Sequence, residues 1–138
     1  MKLVLDSNIL FSIMKLDSVA SFLFSSLGAE FFVPEYIKDE LRNHKSECLL
    51  KSKLSEHEFH IRQADIEGSI KFCKFSEYGR FLKDAVNALP DPKDSPYLAL
   101  ALAIKSEVWS NDPHLKQQAL VKVSTTKDLI DKLLADKI

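Results

Sequence analysis

Four acids stand where water alone does not account for them. Asp6 follows the apolar run Leu3–Leu5 in LVLDSNIL, Glu40 lies beside Ile37 and Leu41 in VPEYIKDEL, Asp94 opens the apolar stretch of DPKDSPYLALALA, and Asp112 closes VWSNDPHL. A carboxylate against apolar residues is costly to desolvate unless it is paired, hydrogen-bonded or holding a cation. Several carboxylates brought within a few ångströms of one another must either keep protons or bind a hard cation. Oxygen-only ligands suit Mg²⁺ or Mn²⁺, which keep waters and so leave positions for phosphate oxygens and a metal-activated water. That is the chemistry of phosphodiester hydrolysis.

Each acid also has a plainer reading. Asp6 could cap the helix that follows it, Asp94 could cap the helix opening at Ser95 and Pro96, and Asp112 could serve the turn in NDP. Glu40 could pair with His44 four residues on, or with Arg42 or Lys38.

The elements that must position these groups alternate. Short apolar or strand-like runs at Leu3–Leu5, Phe31–Val33, Ile70–Phe75, Val108–Ser110 and Val121–Ser124 are separated by segments of helical spacing. Asp17 or Ser18 is placed to cap a helix through Leu27 that Gly28 stops. Pro34 suits the first turn of the helix carrying Ile37 and Leu41. Ser55 with Glu58 forms a capping box for a helix reaching Gly68, and Ser76 is placed to cap one carrying Tyr78, Phe81, Leu82, Ala85 and Leu89. Tyr97–Ile104 has no polar face and belongs deep against a sheet, and Thr125 or Thr126 caps a closing helix. Parallel strands need crossover helices, so this alternation predicts an α/β sandwich on a mostly parallel sheet. In such sheets functional groups gather beyond the carboxyl ends of the strands. Asp6 and Asp112 each follow a strand, and if those strands are neighbours the four acids converge.

Composition narrows the classes. The 138 residues, with 46% hydrophobic and 28% charged, suit one compact domain over 1–138. A net charge of −1 gives no global pull toward nucleic acid or membrane, so a polyanion must be met locally. The two cysteines, Cys48 and Cys73, carry no metal-ligand spacing and fit a reducing compartment. An acid at position 6 interrupts any apolar leader, and the run from Tyr97 to Ile104 is far short of the roughly 20 residues that span a bilayer. A cytoplasmic location is the expectation.

Taken together, the four motifs resemble those of the PIN-domain nucleases. LVLDSNIL is similar to the family's opening strand and its Asp-Thr/Ser-Asn signature, VPEYIKDEL to its proline, helix and Glu-Leu element, DPKDSPYLALALA to its third motif, and VWSNDPHL to its fourth. The third match selects Asp94 over Asp91. VKVSTTKDLIDKLL is similar to the family's last strand and helix, so the resemblance spans nearly the whole chain.

The resemblance implies a three-layer α/β/α sandwich with a central parallel sheet. It also implies metal-dependent endonucleolytic cleavage of RNA by water, leaving a 5′-phosphate and a 3′-hydroxyl, with Asp6, Glu40, Asp94 and Asp112 as the catalytic acids. Many members are toxins of toxin–antitoxin pairs, which makes an antitoxin protein an expected partner. A homodimer is expected from the same source and from the aromatic residues Phe22, Phe24, Phe31 and Phe32, which otherwise belong to the core. Where relatives often carry a further acid two positions after the fourth acid, this chain has His114, which favours one Mg²⁺ or Mn²⁺ ion over two.

In this reading Asp6 and Asp94 are the strongest metal ligands, with Asp112 and Glu40 binding directly or through water. Ser7 and Ser110 orient carboxylates or touch phosphate, and Asn8 pins the loop. Lys38, Arg42, Lys45, Lys93 and Lys116 flank the motifs and are candidates for RNA contact, with a solvated surface as the alternative for each. Two other classes compete. A phosphatase working through an aspartyl phosphate usually has a second Asp two positions after the first, where this chain has Asn8. A noncatalytic domain that binds RNA or protein would keep the acids without using them.

Overall fold

The computed structural model describes residues 1–136, so Lys137 and Ile138 of the expected domain lie outside the described residues. Its centre is a five-stranded sheet in the order β3-β2-β1-β4-β5, every pair parallel. The strands are β1 (Lys2–Leu5), β2 (Glu30–Pro34), β3 (Ile70–Cys73), β4 (Glu107–Trp109) and β5 (Val123–Ser124). β1 carries Leu3, Val4 and Leu5, all at zero exposure, because a central parallel strand is covered on both faces.

The chain winds outward from β1 to β3, then returns to β4 on the opposite face. Helices α1 (Ser7–Ile13) and α2 (Val19–Ser26) connect β1 to β2, and α3 (Ile37–Asn43), α4 (Lys45–Ser52) and α5 (Glu56–Gly68) connect β2 to β3. Arg62 of α5 ties this layer together. Its Nε donates to the Met14 carbonyl at 3.1 Å and its Nη2 to the Ile13 carbonyl at 2.6 Å, placing a cation at the carboxyl end of α1. The return runs through α6 (Phe75–Tyr78), a 3₁₀ turn, α7 (Leu82–Ala88) and α8 (Ser95–Ile104), with α8 packed on β1, β2 and β4. The closing helix α9 (Thr126–Leu134) comes back to α2 on the first face, and Trp109 on the sheet donates its indole N–H to Thr126 Oγ1 at 3.1 Å. The result is the three-layer α/β/α sandwich, doubly wound about the β1/β4 boundary.

Three local expectations change. Pro34 ends β2 rather than starting a helix. β1 pairs with β2 only as far as Phe32, so a proline at the last strand position withdraws no donor from that ladder, and α3 begins after a turn at Glu35 and Tyr36. The strand expected over Ile70–Phe75 stops at Cys73, and the helix expected from Ser76 is broken. Phe75 opens α6, with the Glu77 carboxylate accepting the Lys74 N–H at 2.7 Å, and the helix interrupts at Gly79–Phe81. Glycine leaves room there for the exposed Phe75 ring, which a Cβ on residue 79 would approach to 2.6 Å and displace. Helix α4 had no counterpart in the sequence reading. Of the four phenylalanines weighed for a dimer, Phe31 and Phe32 are buried, Phe24 stacks on Phe31 with centroids 4.5 Å apart, and Phe22 alone is exposed.

Candidate active site

β1 and β4 are neighbours, in the register Leu5↔Trp109, so the residues that follow them emerge side by side at the carboxyl end of the sheet. This boundary is where strand order reverses, the place where parallel sheets leave a crevice. Asp6 sits there almost fully buried, at 5% exposure. Its backbone is extended (φ −81°, ψ 169°), and its Oδ1 accepts the Ile9 N–H at 2.8 Å, which makes it the N-cap of α1. The capping reading of Asp6 is thus true, and it uses one oxygen. The other oxygen accepts the hydroxyl of Ser110, itself at zero exposure, and the Ser110 Oγ in turn accepts the Asp112 N–H at 3.0 Å. One serine therefore links the first acid to the fourth.

Burial pushes the Asp6 carboxyl up from its ordinary range, and the Asp112 charge adds to this, while the Ser110 and Ile9 hydrogen bonds oppose it. Asp94 ends a 3₁₀ turn (Pro92–Asp94) and precedes α8, yet its side chain makes no capping bond. Asp91 takes that duty for the turn, its Oδ1 accepting the Lys93 N–H at 3.0 Å. Asp94 is pushed up to about 6, first by desolvation and then by the charges of Asp112, Asp91 and Asp6, with Asp112 within hydrogen-bonding reach. The structure thus brings Asp6, Asp94 and Asp112 into one electrostatic cluster.

Asp112 is also a turn residue. Its Oδ1 accepts the His114 N–H at 2.9 Å and lies 3.3 Å from His114 Nδ1. The residue standing where a further acid would be expected therefore braces the fourth acid. Glu40 lies on α3. It forms none of the ion pairs open to it, since Arg42 pairs with Asp39 and His44 with Glu47, and its charge is felt by the Tyr36 and Tyr97 phenols.

Tyr97 was not among the residues singled out from the sequence. Its phenol oxygen accepts the Ser7 N–H at 3.2 Å, tying the turn after Asp6 to α8. Burial raises both the Tyr97 and the Tyr36 phenol above the ordinary range. The signal was present: Tyr97 lies three residues beyond Asp94, the one polar-tipped side chain in the run Tyr97–Ile104. Among the described residues Asn8 makes no side-chain hydrogen bond. Its exposed side chain lines a cleft of about 210 Å³ together with Asp6, Ile9, Ser12, Asn111 and Asp112. Lys38, Arg42, Lys45, Lys93 and Lys116 do not line it. Lys38 lies over the Phe72 ring, Lys45 is 3.0 Å from His60 Nε2, and Lys116 pairs with Asp128 at 2.6 Å.

A family model described as PIN domain matches residues 4–133. The chain belongs to the PIN-domain family. PIN domains are generally nucleases and typically use divalent metals, and no curated protein matches this one significantly. Among the described residues of this PIN domain, no three His, Cys, Asp or Glu side chains form a ready-made metal-binding group. The donor set nonetheless suits the family's chemistry, because magnesium takes one or two carboxylates and fills its remaining positions with water. Asp6, Asp94 and Asp112, which feel one another's charge, offer such carboxylates. Among the described residues no helix is long and apolar enough to cross a membrane.

Proposed function

We propose that this PIN domain is a divalent-metal-dependent endoribonuclease that hydrolyses RNA with a metal-activated water. The observation that carries this reading is the convergence of Asp6, Asp94 and Asp112 at the β1/β4 boundary, with Asp94 held up to about 6 by burial and by its acidic neighbours. Like charges gathered in a half-buried cleft are what a dication neutralises.

Asp6 and Asp94 would be the strongest ligands of one Mg²⁺ or Mn²⁺ ion, with Asp112 and Glu40 binding it directly or through water. Such an ion lowers the pKa of a bound water and polarises a phosphoryl oxygen. Ser110 orients two of the acids through one hydroxyl, and Tyr97 holds the Ser7 turn against α8. The partners in this reading are an RNA substrate and, if the protein serves as a toxin, an antitoxin protein. A homodimer is part of the same proposal, and exposed Phe22 is the side chain available for it.

The test is cleavage of single-stranded RNA with Mg²⁺ or Mn²⁺ by the wild-type protein and by Asp6→Asn and Asp94→Asn. Loss of cleavage in both variants, with the fold and RNA binding retained, supports the reading. Undiminished activity in both overturns the site assignment.

A further inference from the structure

The cleft at Asp6 and Asp112 does not end there. Asn8 and Ser12 also form one wall of a second cleft, of about 400 Å³, between α1 and α4. The lining follows from helical spacing. Asn8, Phe11, Ser12 and Lys15 stand at i, i+3, i+4 and i+7 along and just beyond α1, and His44, Glu47 and Lys51 repeat the same spacing along α4. Two helix faces thus meet in a trough whose near end opens on the carboxylates.

Its chemistry is the complement of theirs. Lys15 and Lys51 bring two cations against the single acid Glu47, in a chain whose overall charge is −1. Among the described residues Lys15 makes no ion pair, whereas Lys51 pairs with Glu47 at 2.6 Å. Phe11 and His44 set two rings in the same wall, with centroids 5.3 Å apart and planes at 53°. Cations and rings lining one trough, continuous with the acid cleft, are the combination that tracks a single strand, the cations meeting its phosphates and the rings its bases.

We propose that the α1/α4 trough is the binding site for the single-stranded RNA next to the scissile phosphate, with Lys15 and Lys51 on its backbone and Phe11 and His44 against a base. This rests on the nuclease reading for the neighbouring cleft, but it assigns a binding surface that none of the acids supplies. Glu47 acts as a gate within it, because it holds Lys51 at 2.6 Å and lies 3.4 Å from His44 Nδ1, groups that the strand would otherwise engage.

The experiment measures anisotropy of a labelled twelve-nucleotide single-stranded RNA of mixed sequence. It is carried out in the Asp94→Asn protein, so that binding is read without cleavage. Replacing Lys15 and Lys51 together by Ala should weaken binding on the order of tenfold and flatten the salt dependence by about 1.4 in logarithmic slope, the value for two phosphates on a single strand. Glu47→Gln should tighten binding, a change of opposite sign that general destabilisation does not produce. Thermal melts confirm that each variant is folded.

The proposal is overturned if the Lys15/Lys51 variant binds as its parent does, or if Lys38→Ala with Arg42→Ala accounts for the loss instead. It is also overturned if the Asp94→Asn protein binds no RNA. A wild-type protein that binds RNA through the trough but never cleaves it overturns the catalytic reading alone.

Discussion

Ser110 donates its hydroxyl to the buried Asp6 carboxylate and, through the same oxygen, accepts the Asp112 N–H at 3.0 Å. The two strand ends that bracket the site are therefore joined by one side chain with no exposure to solvent. Substituting it leaves a buried carboxylate oxygen and a half-buried amide without that partner. Ser110→Ala should destabilise the protein by about 1–3 kcal/mol in urea unfolding. It should also weaken Mn²⁺ binding or cleavage by about 10–100-fold, as loss of an orienting group beside a metal ligand does.

The Tyr97 phenol oxygen is the acceptor for the Ser7 N–H. Tyr97→Phe keeps the ring in the core and removes the hydroxyl that meets the Ser7 N–H and the Tyr36 phenol, so it should cost about 1–2 kcal/mol of stability. Because the freed turn carries Asp6, cleavage should fall more than stability does. Unfolding curves and initial rates on the same preparations separate the two effects.

Asp94 experiences desolvation together with three acidic neighbours, which hold it up to about 6 against an ordinary 3.8. The sign follows from linkage: above 6 the ionised group opposes folding, and the opposition fades as pH falls through 6 toward 3.8. In metal-free protein Asp94→Asn should therefore raise stability at neutral pH, on the order of 1 kcal/mol after solvent screening, and by less at about pH 5. Melting curves in EDTA at the two pH values check this. A variant that gains stability while losing activity is the behaviour of a residue kept for chemistry.

Asp128 behaves in the opposite way. Lys116 at 2.6 Å and the Thr125 N–H at 3.0 Å lower it to about 2. Its contribution to docking α9 is present above the ordinary 3.8 and is lost as pH falls through 2. Asp128→Asn should therefore flatten the acid limb of the stability profile between about pH 4 and 2, read by thermal unfolding.

Much of this was legible in the residues, for identifiable reasons. Leu3–Leu5 followed by Asp6 marks a buried strand ending in a polar group, and Ser55 with Glu58 forms the capping box that the structure shows. Asp94 was separable from Asp91 only through the motif, and the hydrogen bonds explain why: Asp91 caps the turn while Asp94 leaves its carboxylate to the cluster. What stayed hidden depends on which helices face each other. Lys38, Arg42 and Lys45 lie near Glu40 in sequence but not in the acid cleft, whereas Lys15 and Lys51 reach its extension from α1 and α4. Helix α4 itself gave little warning, since its buried face amounts to Cys48 and Ser52.

The most direct measurement is the chemistry of the RNA ends released by the purified protein with and without Mn²⁺. A metal-activated water delivered at the Asp6, Asp94 and Asp112 cluster predicts 5′-phosphate and 3′-hydroxyl ends, formed only with the metal and not by Asp94→Asn. Cleavage that persists in EDTA, leaves 2′,3′-cyclic phosphates, or survives Asp94→Asn undiminished would contradict the account.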